Sequence, residues 1–222
     1  MKKTNFLECF LCIQFFLYCT FLYLDFNQIS TPNISSWVKL TSIFICSLYA
    51  FSQRKNFKQS SLIFPIYALF FTFLADIFLL LTSFYEIGIC LFCLAHILYL
   101  SYLKKPKPAF CWFFPLFLFC ILTTAILFLY SPYFATQITP LRFFLCLFYF
   151  LMLLSNLSVS YRIKQHKLLS LGLILLLLCD IQVVIFNTLS PTQFFFQIAA
   201  IGMWISYLPS QVIIVIYIHS RI

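Results

Sequence analysis

The sequence predicts an all-α integral membrane bundle of eight transmembrane helices, and three observations carry that reading. Of the 222 residues, 64% are hydrophobic and 9% are charged, against about half and about a quarter in an ordinary soluble domain. The apolar residues gather in runs long enough to cross a bilayer, which takes about 20 residues per helix. The cations gather between every second pair of runs, the charge pattern of a chain that crosses a membrane back and forth.

The runs fall at 6–24, 35–52, 61–82, 84–103, 109–130, 140–161, 167–188 and 193–217. They leave no room for a separate aqueous domain, so residues 1–222 read as one polytopic membrane domain. The opening Met1-Lys2-Lys3 and the apolar stretch behind it mimic a secretory signal. Glu8 interrupts that stretch and no small-residue cleavage pattern precedes Asp25, so it reads as a retained first helix.

Orientation follows from the connections. Lys2 and Lys3, then Arg54, Lys55 and Lys58, then Lys104, Lys105 and Lys107, then Arg162, Lys164 and Lys167, and finally Arg221 all fall on one side of the predicted membrane. Twelve of the fourteen cations thus agree, the exceptions being Lys39 and Arg142. Positive residues are retained on the cytoplasmic side during insertion, so both termini are expected there. The formal +9 charge suits anionic lipid headgroups rather than nucleic acid, because the cations lie in short clusters and not along one polar face.

Lys39 precedes Asp76 by 37 residues and Arg142 precedes Asp180 by 38. Each aspartate lies in the third helix of a four-helix half and is followed by Ile, the pattern of two parallel repeats about an axis along the membrane normal. Internal duplication and coincidence explain this spacing equally well.

An ionisable residue inside hydrocarbon costs from about 3 to more than 10 kcal/mol and is kept for a reason, which singles out Asp76, Asp180 and His96. At about 1.5 Å per residue, the two aspartates lie on the order of 9 and 12 Å below the outer boundary, and His96 on the order of 18 Å. Tyr85, Gly88, Phe92, His96 and Tyr99 recur at helical spacing and line one face of the fourth helix. Tyr207 and Gln211 share a face of the last helix, and Pro209 between them removes a backbone hydrogen bond. Lys39 falls near the depth of Asp76, and Arg142 reads as a cation snorkelling to the outer interface. Structural roles compete with each of these: a buried Asp, His, Tyr or Gln also serves as an interhelical hydrogen-bonding group.

Metal and nucleophile motifs carry less. Most of the ten cysteines lie inside apolar runs, where a free thiol packs as a small hydrophobe. The CxxC strings Cys9 to Cys12 and Cys90 to Cys93 sit within helices and not on the tight turns of zinc sites, and His166 and His219 fall near cytoplasmic ends. Asp76, His96 and Asp180 would formally make three ligands, but the depth offset of His96 argues against one ion, and no cofactor is expected. GxSxG, HExxH and glycine-rich phosphate loops are absent from the sequence.

The stretch FTFLADIFLLLTSFYEIGICLFCLAHILYL resembles the signature of the YhhN lysoplasmalogenase-like family, with Asp76, Gly88, Phe92, His96 and Tyr99 at its characteristic positions. LLLLCDIQVVIF resembles the family's second Asp-bearing helix at Asp180, YLPSQVII its closing Tyr-x-x-x-Gln at Tyr207 and Gln211, and Lys39 falls where the family has a Lys. Ala75, Cys179 and Leu40 stand where the family usually has Gly, Ser and Pro; none of these changes removes a group with a chemical role.

The resemblance implies eight helices and hydrolysis of the vinyl ether bond of lysoplasmalogens to a fatty aldehyde and a glycerophospho-alcohol. It implies Asp76, Asp180 and His96 as catalytic groups and Lys39, Tyr99, Tyr207 and Gln211 as substrate-binding groups. Two carboxyls suit that chemistry, since one must donate a proton and the other accept one from water. Lys39 beside Asp76 would favour its carboxylate, which makes Asp76 the expected base, Asp180 the expected acid and His96 a hydrogen-bonding or relay group.

The expected partners are a lysophospholipid substrate and membrane lipids, in a bacterial plasma membrane. The same Asp and His residues would also serve a transporter or a lipid-binding membrane protein, by holding a proton or an amine headgroup. An alkaline-ceramidase-like metal site needs several intramembrane His, and only His96 is present. Alkaline-phosphatase fusions are expected to be inactive at residue 106 and active at the connections carrying few cations; an active fusion at 106 would overturn the topology.

Overall fold

The structure, a computed structural model, describes residues 2–27, 32–56, 60–103, 139–188 and 194–221. Seven membrane-length helices account for nearly all of them: α1 (Lys2–Asn27), α2 (Pro32–Ser52), α3 (Ile63–Leu81), α4 (Tyr85–Tyr102), α5 (Pro140–Arg162), α6 (Lys167–Thr188) and α7 (Phe194–His219). Each is long and apolar enough to cross a membrane, and no strand occurs among the described residues. These seven coincide with seven of the expected runs to within a few residues. The helix expected at 109–130 lies outside the described residues.

Helix ends follow local chemistry. Thr139 caps α5 by accepting from the Arg142 N–H at 3.2 Å, with Pro140 in the first turn, where its missing N–H costs nothing. Between α3 and α4, Thr82 is extended and its hydroxyl accepts from the Phe84 N–H. Glu86 then opens α4, where a carboxylate suits the helix dipole. Within α7, Pro209 cannot donate to the Ile205 carbonyl one turn back. The Tyr18 hydroxyl on α1 donates to that oxygen instead, at 3.3 Å, so the proline costs no orphaned backbone group.

Side-chain contacts fix the directions of the helices. Phe6 stacks on Tyr49, whose hydroxyl hydrogen-bonds His219, and Tyr102 meets Tyr217, which also bonds His166. The start of α1 and the end of α7 therefore share one end of the bundle with the 53–56 and 163–166 connections. Arg142 meets Glu86, Cys93 meets the Leu145 carbonyl and His96 meets Asn156, so α4 and α5 run parallel. Leu103 and Thr139 consequently lie at opposite ends of the bundle.

The closest packing is α3 on α4 and α6 on α7, and both pairs depend on small residues. A Cβ at Gly88 would stand 2.8 Å from Leu79 Cγ and 3.1 Å from the Ala75 carbonyl; one at Gly172 would stand 2.8 Å from Ile214 Cγ1 and 3.2 Å from the Ser210 carbonyl. Lipid tails are as apolar as the helices, so close backbone approach supplies the association energy that water would otherwise provide. Large apolar side chains such as Phe15, Phe16, Val184 and Phe195 point outward, as they do toward lipid. Replacing Gly88 by Leu is expected to destabilise the fold by about 1–3 kcal/mol through overpacking, read as a lower thermal midpoint in detergent, with a smaller fall for Gly88→Ala.

Candidate functional site

Polar side chains of α3, α4, α5, α6 and α7 meet one another inside the bundle in two groups, one around Asp76 and one around Asp180 and His96. Asp76, 4% exposed, accepts from the Tyr207 hydroxyl at 2.7 Å, and Asp180 accepts from the Tyr149 hydroxyl at 2.8 Å. Each of the two aspartates expected from the sequence is thus held by a tyrosine hydroxyl from another helix.

His96 joins the Asp180 group through Tyr149. The imidazole meets the Tyr149 ring edge-on with centres 5.0 Å apart, and the hydroxyl of the same tyrosine reaches Asp180. Asn156 Nδ2 donates to the His96 carbonyl at 2.8 Å and contacts Nδ1 at 3.2 Å, leaving the ring proton on Nε2. The Tyr99 hydroxyl, Asn156 Oδ1 and Gln211 Oε1 are buried without a hydrogen-bond partner. An orphaned buried polar atom costs about 1–3 kcal/mol, and Ser61 Oγ and Ser170 Oγ are in the same condition. Tyr99 and Gln211, expected to bind substrate, thus supply two of five such atoms.

Lys39 pairs with Asp25 and not with Asp76. Its ammonium pairs with Asp25 of α1 at 2.7 Å, with the two side chains 9% and 18% exposed, and lies 4.6 Å from the Trp204 ring centre and 5.6 Å from that of Phe21. Depth along the membrane normal says nothing about which neighbour stands alongside, and α1 offers Asp25 where α3 would have offered Asp76. The ground for making Asp76 the base is thereby removed. Arg142, expected to snorkel alone, is bound to Glu86 through two nitrogens at 2.9 and 3.1 Å and lies over the Tyr85 ring.

The carboxyls are not held in equivalent ways. Asp76 takes its tyrosine from α7, whereas Asp180 takes its own from α5, so the hydrogen bonds do not mirror the 37- and 38-residue spacing. Among the described residues no group of three His, Cys, Asp or Glu is close enough to hold a metal ion.

A cavity of about 460 Å³ opens at the end of the bundle opposite the termini, within the size range of small-molecule sites. Asp25, Ser35 and Lys39 give it a polar wall; Leu80, Phe186 and Trp204 give it an apolar one. Leu80 is four residues beyond Asp76 on α3, a rise of about 6 Å, and the Trp204 ring packs edge-on against Tyr207 with centres 5.5 Å apart. Asp76 therefore lies one helical turn from a residue that lines the cavity.

Sequence reasoning missed Tyr149, Asn156, Trp204, Asp25 and Glu86. Tyr149 had a signal, seven residues from Arg142 and so on its face; the others depend on contacts between distant helices. Tyr207→Phe is expected to couple to Asp76→Asn, and Tyr149→Phe to Asp180→Asn, by about 0.5–3 kcal/mol in double-mutant cycles of thermal stability. Additive behaviour within either pair would contradict the hydrogen-bond assignment.

Among curated proteins and among solved structures nothing matches the chain. Residues 34–218, from α2 through α7, match the YhhN family model, and this stretch holds both aspartates, His96, Lys39 and the closing tyrosine and glutamine; the chain belongs to the YhhN family.

Proposed function

We propose that this protein is a membrane hydrolase that cleaves the vinyl ether bond of a single-chain ether lysophospholipid, with Asp76 and Asp180 as an acid–base pair. The observation that carries this reading is the two intramembrane carboxyls, each bonded to a tyrosine hydroxyl, with Asp76 one helical turn from a residue that lines a cavity. Family membership is consistent with it. The end bearing the termini and the basic connections faces the cytoplasm of a bacterial plasma membrane in this proposal, and the cavity faces the opposite surface.

In the reaction, one carboxyl gives its proton to the distal alkene carbon, leaving an oxocarbenium ion at the carbon bonded to oxygen. The second carboxyl takes a proton from water as the water oxygen bonds to that carbon, forming a hemiacetal. Collapse breaks the bond between that carbon and the glycerol oxygen, which takes up a proton as the alcohol; the aldehyde forms and the pair returns to one protonated and one ionised member. Water is the only co-reactant. The tyrosine hydroxyls hold each carboxyl in place, and His96, fixed by Asn156, packs behind Tyr149 as a positioning group. Tyr99 and Gln211 face the substrate with their unmatched oxygens.

The test is aldehyde release from a lysoplasmalogen by protein purified in detergent. Asp76→Asn and Asp180→Asn are each expected to lower turnover at least about a hundredfold at matched protein levels, the loss that follows removal of a general acid or base. The pH profile is expected to be bell-shaped, because one member of the pair must be protonated while the other is not, and activity is expected to survive a strong chelator. Near-normal turnover in either variant, or activity lost to chelator and restored by zinc, would overturn the carboxyl-pair mechanism.

A further inference from the structure

We infer that the basic turn between α5 and α6, together with Arg221, is a binding site for the phosphate of an anionic phospholipid in the leaflet on the side of the termini. The site goes beyond the hydrolase reading and does not depend on it. Arg162, Lys164 and Lys167 fall within one six-residue stretch and are exposed. Arg221 returns from the end of α7 to the same turn, where its Nη2 donates to the Gln165 carbonyl. Four cations thus gather at one point of the bundle. Among the described residues no side-chain carboxylate pairs with any of them.

Retention of positive residues on one side of the membrane accounts for cations in this region, but not for a guanidinium folded back onto the protein. Arg221 is held in that position. Besides the bond to Gln165, its guanidinium lies 5.2 Å from the centre of the Tyr217 ring. The Tyr217 hydroxyl is fixed in turn by His166 of the same turn and, at 2.7 Å, by Tyr102 of α4. A guanidinium carries five N–H donors in a rigid fork, so one bond to a carbonyl leaves it able to grip a phosphate through two more. Lys167 opens α6, where the helix dipole adds to its positive charge instead of offsetting it. The protein therefore leaves this charge to be balanced by a partner.

The surface beside the cations suits acyl chains. Lys167, Leu171, Ile174 and Leu178 follow one another at intervals of four, three and four residues, all exposed on one face of α6. From Lys167 to Leu178 the helix rises about 16 Å, close to half of a hydrocarbon core about 30 Å thick. A lipid thus finds cations at headgroup level and an apolar track one leaflet deep beside them. Charge selects which lipid. The amine of a zwitterionic headgroup would meet four cations, whereas a net anionic phosphodiester brings only the sign that is missing.

Binding is measured by native mass spectrometry on the full chain purified in detergent. Phosphatidylglycerol is the anionic probe, phosphatidylcholine the zwitterionic one and soluble glycerol phosphate the competitor. Phosphatidylglycerol is expected to bind at least tenfold more tightly than phosphatidylcholine, with the preference falling as salt rises, and glycerol phosphate at equal concentration is expected not to displace it. Arg221→Gln with Lys164→Gln is expected to lower the preference at least tenfold. Arg54→Gln with Lys55→Gln, which removes the same charge from the 53–56 connection, is expected to leave most of it.

Equal losses in the two double variants would reduce the effect to general surface potential and overturn the site. Equal binding of the two lipids would overturn it as well, and displacement by glycerol phosphate at equal concentration would assign the cluster to a soluble anion instead. Should the Arg221 variant fail to fold, the wild-type protein decides. Phosphatidylglycerol with a photoreactive diazirine in its headgroup is expected to cross-link within 161–171 and 217–221, and cross-links spread evenly over the basic connections would sink the proposal.

Discussion

Every charge placed in hydrocarbon has to be matched inside the protein, because neither lipid tails nor nearby water will do it. That constraint organises this bundle. Lys39 and Arg142, the two cations away from the basic end, are each matched by a carboxylate on a neighbouring helix. Asp76 and Asp180 are matched instead by tyrosine hydroxyls. The difference lies in the partner: each ion pair joins two charged side chains, whereas each aspartate is met by a neutral donor.

The backbone obeys the same rule. Pro209 removes a donor from the middle of α7, and the freed Ile205 carbonyl finds Tyr18 on α1. Among the described residues five side-chain atoms escape the rule, on Ser61, Tyr99, Asn156, Ser170 and Gln211, and three of them belong to the helices that carry His96, Tyr149 and Tyr207. Helices brought together by Gly88 and Gly172 hold these polar groups in register without bulky packing between them. Stability and a poised interior thus come from the same close contacts.

The bundle is polarised along the membrane normal. At the end with the termini, aromatic and histidine side chains join α2, α4, α7 and the 164–166 turn through Tyr49, Tyr102, Tyr217, His166 and His219. At the other end the chain leaves a cavity bounded by an ion pair and a tryptophan.

By itself the sequence determined the class of the protein and the limits of seven described helices, and it singled out two aspartates and His96 as candidates, because apolar length and the cost of an intramembrane charge are both written along the chain. Depth was legible too, at a fixed rise per residue. Azimuth was not: the same depth that placed Lys39 level with Asp76 gave no means of knowing that α1 would bring Asp25 to it first. Tyr149, Asn156 and Trp204 carry no charge and sit among many other aromatic and polar residues, so only the packing of α4, α5 and α7 against one another distinguished them. Tertiary structure decided which helix faces which, and with it which charges are paired and which two carboxyls are left to tyrosines, because partners across a membrane bundle are chosen by rotation and neighbourhood rather than by position in the chain.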